Sequence, residues 1–152
     1  MDERLFRDAM GKFATGITVV SMNDNGENIG MTVNAFMSIS LDPKLIAVSI
    51  DERASMYDKL NNTEKFGVSI LNENQKDLSM VFARQKEPEQ EIAFIDQDGV
   101  PVLQDALATI SCKVKDKIKA GDHLIYIAEV TALQVNDGLP ILYFGGQYRT
   151  IE

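Results

Sequence analysis

The sequence predicts a mainly β protein, an antiparallel β-barrel with short flanking helices. At least six stretches carry strand patterning, and turn residues rather than helical crossovers join most of them. The chain has 152 residues, 45% of them hydrophobic, and no linker, repeat or low-complexity segment divides it. We therefore expect a single domain over residues 1–152.

Composition excludes several functional classes. The formal charge of −8 and the pI near 4.6 oppose binding to nucleic acid or to an anionic membrane. One cysteine, Cys112, and one histidine, His123, cannot form a Cys/His metal cluster, so no metal site is expected. The first residues have no signal-peptide pattern and no membrane span, which predicts a cytoplasmic protein. No glycine-rich dinucleotide fingerprint or P-loop is present in the sequence.

The chain begins with an amphipathic helix and a hairpin. Apolar side chains recur every four residues over positions 5–13, which predicts a helix with one apolar face. Asp2 is the expected N-cap, and Gly16 is the expected end. The β-branched run at 17–22 and the turn residues at 24–26 predict a strand that leads into a second one.

Residues 29–41 predict one long strand with two unlike faces. The odd positions are apolar and should face the core. The even positions are uncharged, and they read Gly30, Thr32, Asn34, Phe36, Ser38 and Ser40. Such a face suits a polar planar ligand or a subunit interface, because its donors and acceptors can be partnered without burying charge. The alternative is an ordinary hydrated face.

A possible anion site follows the next strand, which spans residues 45–50. Ser55 and Asp58 have the spacing of a helix capping box. The free N–H groups at such a helix start can bind a phosphate, and Arg53 adds a positive charge. The alternative is that Ser55 only caps the helix and Arg53 is solvated.

The second half continues the same pattern of short elements. We expect a strand at 66–71 and a helix that begins at Asn74. A hairpin follows, with strands at 108–114 and 124–130. The last predicted strand spans 140–144.

Five motifs occur in a fixed order along the chain. They are Phe6-x-x-Ala9-x-x-x-Phe13-x-Thr15-Gly16-x-x-Val19-Val20, Gly30-x-Thr32-x-x-x-Phe36-x-Ser38-x-Ser40-Leu41-Asp42-Pro43-x-Leu45, Phe66-Gly67-Val68-Ser69-Ile70-Leu71, Gly121-Asp122-His123, and Leu142-Tyr143 with Tyr148-Arg149. In this order they resemble the flavin reductase-like, FMN-binding split-barrel family over nearly the whole chain. The resemblance implies an antiparallel split barrel.

The resemblance also implies an activity. It implies a homodimer that binds FMN or FAD near the subunit interface and transfers hydride to it from NADH or NADPH. A separate monooxygenase or ferric iron would then receive the reduced flavin. The alternative is a non-enzymatic FMN-binding protein that transfers electrons or binds a small ligand.

The same resemblance implies a set of site residues. They are Thr32, Asn34 and Ala35 at the flavin ring, Ser49, Ile50 and Asp51 along the ribityl chain, Arg53 and Ser55 at the phosphate, and Val33, Ser38, Phe82, Arg84 and Tyr148 as further cofactor contacts. His123 would seat the nicotinamide as the catalytic histidine. Without the resemblance, a histidine on a Gly-Asp turn is more often a solvated loop residue.

Overall fold

The computed structural model describes residues 1–151, which form twelve strands and three helices, so the mainly β prediction is confirmed. The helices are α1 (Glu3–Gly11), α2 (Tyr57–Asn61) and α3 (Lys76–Phe82). The strands are β1 (Thr15–Gly16), β2 (Thr18–Asp24), β3 (Glu27–Val33), β4 (Phe36–Leu41), β5 (Lys44–Asp51), β6 (Lys65–Ile70), β7 (Phe94–Gln97), β8 (Val100–Leu103), β9 (Ala108–Ala120), β10 (His123–Val135), β11 (Ile141–Phe144) and β12 (Gln147–Thr150).

The strands form three antiparallel sheets. The main sheet has seven strands in the order β3-β2-β6-β9-β10-β5-β4. A second sheet has the order β1-β11-β12, and β7 pairs with β8. Over residues 1–151 no ladder joins β3 to β4, so the main sheet is open and the closed ring of a barrel is not formed.

Two apolar clusters stabilise these sheets. The larger one fills the concave face of the main sheet and includes Val48, Phe66 and Tyr126, with Leu60 of α2 packed against them. The smaller one lies between the β1 end of β2 and the β11 strand, and includes Ile17 and Ile141 among other residues. The main cluster draws on most strands of the seven-stranded sheet, which makes strand alternation the main determinant of the fold.

The long strand expected at 29–41 is wrong. The chain breaks after Val33 and resumes at Phe36, so β3 and β4 lie at opposite edges of the main sheet. Val33 is 6% exposed, whereas Met37 is 58% and Leu41 81% exposed. The break reverses which alternate residues point inward, and the side chain of Phe36 packs on the core instead.

Helix α1 agrees with the sequence at its start and differs at its end. Arg4 N–H donates to Asp2 Oδ1 at 2.9 Å, which confirms the predicted cap. The helix ends at Gly11 rather than Gly16, because the following residues pair with β11 as β1. No residue of α1 is buried, so its apolar face does not pack into the core.

The other two helices begin later than expected. Helix α2 has Met56 at its N-cap without a side-chain cap bond, so the capping box at Ser55 is wrong. Helix α3 has Gln75 at its N-cap rather than Asn74. Both helices are short, and each has one buried residue, Leu60 in α2 and Ser79 in α3.

The two predicted hairpins are confirmed. The β2–β3 turn contains Asn25 and Gly26 with φ of 52° and 96°, which suits the tight turns of hairpins. Strands β9 and β10 extend over 13 residues each, longer than predicted. The sequence analysis did not identify β1, β7, β8 and β12, which are too short for a periodic signal. No helix among residues 1–151 is long and apolar enough to span a membrane.

The buried hydroxyl of Tyr126 provides a test of the core. Tyr126 is fully buried, burial raises its pKa to about 12, and its hydroxyl has no hydrogen-bond partner among the described residues. Because an unpaired buried hydroxyl costs roughly 1–3 kcal/mol, Tyr126→Phe should leave the free energy of unfolding unchanged or raise it. Urea denaturation measures this, with Tyr126→Leu as the control that loses about 2 kcal/mol or more to a cavity. A clear loss of unfolding free energy in Tyr126→Phe would contradict the conclusion that the Tyr126 hydroxyl has no hydrogen-bond partner in the described part of the chain.

Cys112 should be inert in the folded protein. It is 1% exposed and burial raises the pKa of its thiol to about 12, so thiolate is scarce at neutral pH. We expect a disulfide reagent to label this single cysteine only at the rate of global unfolding. Labelling in added urea should accelerate with the unfolding rate. Rapid labelling of native protein would disagree with this packing.

Candidate functional site

A cavity of about 1010 Å³ lies between α1 and the outer face of the main sheet. Its walls come from α1, β1, the break between β3 and β4, and the facing parts of β5 and β10. The side chains of Phe6, Met10 and Phe13 line the helical wall. The apolar face of α1 therefore faces a cavity, and not the core.

Ala47, Ser49 and Ile125 line the floor of the cavity, and they belong to a regular cross-strand ladder between β5 and β10. In the β5–β10 register Ala47 pairs with Ile127, Ser49 with Ile125, and Asp51 with His123. Because side chains alternate along a strand, these three pairs share one face of the sheet. The intervening residues, which include Val48 and Tyr126, point into the main core. The ladder therefore leads from apolar residues to charged ones.

The break between β3 and β4 brings two predicted ring contacts to this floor. Ser49 N–H donates to the carbonyl oxygen of Ala35 at 3.1 Å, and Phe36 N–H donates to that of Asn34 at 3.0 Å. Asn34, Ala35 and Ser49 all line the cavity. Two segments that are distant in sequence, Asn34-Ala35 and Ser49, thus meet at one wall.

Three other predicted contacts from the same segment do not line the cavity. The hydroxyl of Thr32 donates to the carbonyl oxygen of Ser79 in α3 at 2.6 Å. Val33 belongs to the main core, and Ser38 is exposed on β4. Thr32 and Val33 therefore contact other parts of the protein, and Ser38 is exposed.

The residues predicted for the ribityl chain and the phosphate separate into two groups. Ile50 is 1% exposed and points into the core, so it lies on the wrong face. Asp51 and Arg53 form a two-pronged ion pair with N–O distances of 3.2 and 2.9 Å. Hydrogen bonds from the Arg53 side chain and backbone hold the pKa of Asp51 well below its usual range. Ser55 is exposed and caps no helix.

His123 is the first residue of β10 and lies opposite Asp51. Its Nδ1 is 2.8 Å from Asp122 Oδ1, and this contact lowers the pKa of Asp122. The ring is half-buried at the charged end of this ladder, and His123, Asp51 and Arg53 lie beyond the residues that line the cavity. The structure thus brings His123, Asp51 and Arg53 together one alternate pair beyond Ser49.

The remaining predicted cofactor contacts are Phe82, Arg84 and Tyr148, and none of them lines the cavity. Phe82 packs edge-on against Phe94 with ring centroids 5.9 Å apart, and it covers Gly30 so closely that a Cβ there would lie 3.0 Å from its ring. Arg84 is exposed with a φ of 61°. The hydroxyl of Tyr148 is 2.8 Å from Ser79 Oγ, and its ring contacts Tyr143, which lines the cavity. Tyr148 supports the cavity wall indirectly.

Sequence reasoning missed the α1 wall and β1. Apolar periodicity identified α1 correctly, but periodicity cannot distinguish a helix face that packs on a core from one that lines a cavity. Thr15 and Gly16 of β1 lie in the first of the motifs named above. That motif was the signal in the sequence that could have indicated a role for them in the site.

The residues that line the cavity are mostly apolar. Arg7 is its one charged lining residue among those described, and the uncharged polar side chains are Thr15, Thr18, Asn34 and Ser49. Such walls with a few polar groups are typical of sites for planar organic ligands. Over residues 1–151 no group of three or more His, Cys, Asp or Glu side chains could hold a metal ion.

Comparison with known proteins identifies the family. The model of the flavin reductase like domain matches residues 10–152. An NADH-dependent flavin reductase from a Rhodococcus species is 39% identical over 149 residues, which cover 96% of this chain and 85% of the relative.

Comparison with solved structures identifies the same family. Flavin reductase PheA2 in its native state superposes with a TM-score of 0.97 at 50% identity, covering 100% of this chain and 99% of that one. The styrene monooxygenase flavin reductase from Pseudomonas putida S12 gives a TM-score of 0.90 at 39% identity, with 97% of each chain covered. This chain belongs to the flavin reductase-like family.

Proposed function

We propose that the protein is an NADH-dependent flavin reductase that transfers hydride from NADH to FMN or FAD, and that it does so as one domain over residues 1–152. The observation that carries this proposal is the cavity in which an apolar helix faces an uncharged polar wall and a ladder that ends in charge. The flavin reductases with which this chain shares its family and fold support the same activity.

The described residues fit a flavin in three respects. The dimethylbenzene end of the ring system is apolar, as are Phe6, Met10 and Phe13. The pyrimidine edge needs both donors and acceptors, which Asn34 and Ser49 can provide. A ribityl phosphate could follow the ladder toward Arg53, whose guanidinium is 74% exposed and free to exchange its carboxylate partner for a phosphate.

The reaction needs alignment more than proton transfer. A bound flavin supplies the hydride-accepting ring, so the chain need only hold two ring systems face to face and exclude water. The apolar wall of α1 excludes water, and the floor at Ser49 and Ile125 sets the plane of the ring. His123, held by Asp122 at the charged end of the ladder, would seat the nicotinamide nucleotide.

A homodimer is the assembly we propose for this chain. Helix α1 exposes Phe6 at 54% and Phe13 at 77%, and β4 exposes Leu41 at 81%. Apolar side chains concentrated in this way mark interaction surfaces. A second copy over α1 would also enclose the cavity. The open main sheet, with β3 and β4 at its edges, supports the split form of the barrel.

The reduced flavin is proposed to serve a second protein in the cytoplasm. The similarity to a flavin reductase of styrene monooxygenase supports a partner oxygenase, and ferric iron is a further acceptor. The related flavin reductases do not favour the alternative of a non-enzymatic FMN-binding protein, and NADPH as donor is compared with NADH in the assay below. We propose no binding to nucleic acid or to a membrane.

The activity has a direct test. Purified protein with excess FMN or FAD should consume NADH catalytically, followed at 340 nm, and bound flavin should raise the melting temperature. The same assay with NADPH identifies the donor, and supply of reduced flavin to an oxygenase component tests the partner. Stoichiometric flavin binding without turnover of either nicotinamide would instead support an electron carrier.

Arg53 should recognise the phosphate and not the ring. We expect Arg53→Gln to weaken FMN binding about tenfold, the size of one charged hydrogen bond of 1.5 kcal/mol, and to leave riboflavin binding unchanged. Fluorescence quenching gives both dissociation constants. Lys119→Gln, which removes a neighbouring charge paired with Glu52, is the matched control and should change neither. Equal losses for FMN and riboflavin would remove Arg53 from the phosphate site.

A further inference from the structure

The hydroxyl of Thr15 is an unexplained polar group at the cavity wall. Its oxygen is buried and has no hydrogen-bond partner among the described residues. Thr15 is half-buried and lines the cavity. A buried hydroxyl without a partner is costly and uncommon in native proteins, so its presence calls for a ligand or a contact that satisfies it.

A neighbouring threonine shows what a satisfied hydroxyl looks like in the same wall. Thr18 Oγ1 donates to the carbonyl oxygen of Val33 at 2.6 Å, and this bond ties β2 to β3. Thr18 therefore has a structural use for its hydroxyl. The hydroxyl of Thr15, three residues earlier, lacks one.

The backbone places Thr15 beside the polar part of the site. Thr18 and Val33 are partners in the β2–β3 ladder, so residues 15–17 and 34–35 leave this hairpin at the same end. The pairing of Thr15 with Tyr143 of β11 fixes its backbone. Both Thr15 and Asn34 line the cavity, so their polar groups can serve the same edge of a ligand.

Rotation about one bond could bring the hydroxyl into the cavity. A threonine Cβ carries a hydroxyl, a methyl and a hydrogen, and a χ1 rotation of about 120° can move the hydroxyl to the position that the methyl held. The exposed part of Thr15 would then be its oxygen. Such a change is small beside the cost of an unpaired buried hydroxyl, so a ligand with a hydrogen-bonding edge favours it.

We propose that Thr15 is a flavin-binding residue that hydrogen-bonds the pyrimidine edge of the isoalloxazine ring next to Asn34. This inference rests on the proposed flavin reductase function. The pyrimidine edge alternates carbonyl acceptors with an imide donor, and a hydroxyl can meet either. The carboxamide of a nicotinamide offers similar chemistry, and the experiment below separates the two sources.

The test compares Thr15→Val, which replaces the hydroxyl by a methyl of similar size, with Thr15→Ser, which keeps the hydroxyl. Without flavin, Thr15→Val should melt at the same or a higher temperature than wild type, because an unpaired hydroxyl is lost. Its dissociation constant for FMN, measured without nicotinamide, should rise about fivefold, the loss of one neutral hydrogen bond. Thr15→Ser should bind FMN within about twofold of wild type.

Thr18→Val is the matched stability control. It removes a hydroxyl that has a partner, so it should lower the melting temperature of the flavin-free protein. Opposite signs for Thr15→Val and Thr18→Val in the flavin-free protein would separate a hydroxyl reserved for a ligand from one used in folding. A similar loss of flavin-free stability in both variants would overturn the proposal.

Three other results would also overturn it. Unchanged FMN affinity in Thr15→Val excludes a flavin contact. Unchanged FMN affinity with a raised KM for NADH assigns the hydroxyl to the nicotinamide. Unchanged FMN affinity with weaker dimerisation assigns it to a subunit contact. Failure of the wild-type protein to bind any flavin would overturn the proposed function as well, whereas the other outcomes leave that function standing.

Discussion

The chain break at Asn34 and Ala35 is the constraint on which the rest of the site depends. Without it, β3 and β4 would be one strand at one edge of the main sheet. With it, the chain leaves one edge, crosses the open side of the sheet and pairs with β5 at the other edge. The bond from Ser49 N–H to the Ala35 carbonyl fixes the crossing against β5. The cavity exists because this crossing, α1 and the β5–β10 floor enclose space on the outer face of the sheet.

The local parts of the fold were predictable because their signals are local. Asn25 and Gly26 adopt the positive φ that a tight hairpin needs, and Asp2 makes the cap bond that its position suggests. The break was not predictable, because apolar and polar residues alternate through it without interruption. Alternation reports that one face of a strand differs from the other, and it does not report which face is buried. The reversal at Phe36 is therefore a tertiary effect.

The site was predictable where resemblance and strand register agree. Asn34, Ala35 and Ser49 share one wall because β5 carries Ser49 outward, while the adjacent Ile50 points into the core. Thr32 was a reasonable candidate by its uncharged side chain, yet its hydroxyl meets a carbonyl of α3 that no sequence pattern reveals. The capping box expected at Ser55 is wrong for a different reason. A capping-box spacing is common by chance, and here the helix begins two residues later.

Charge raises a final physical question, because an acidic protein must attract two anionic nucleotides. The net charge of −8 is spread over the surface, and salt screens such charges beyond about 8 Å at physiological ionic strength. The charges that a nucleotide meets near the cavity are local: Arg7 in the wall, and Arg53 beyond the charged end of the β5–β10 ladder. Asp51 holds the Arg53 guanidinium in place, and the Arg53 side chain is largely exposed, so replacing its carboxylate partner with a phosphate costs little desolvation of the guanidinium. Binding at this site can therefore depend on the geometry of a few groups, whatever the sign of the whole molecule.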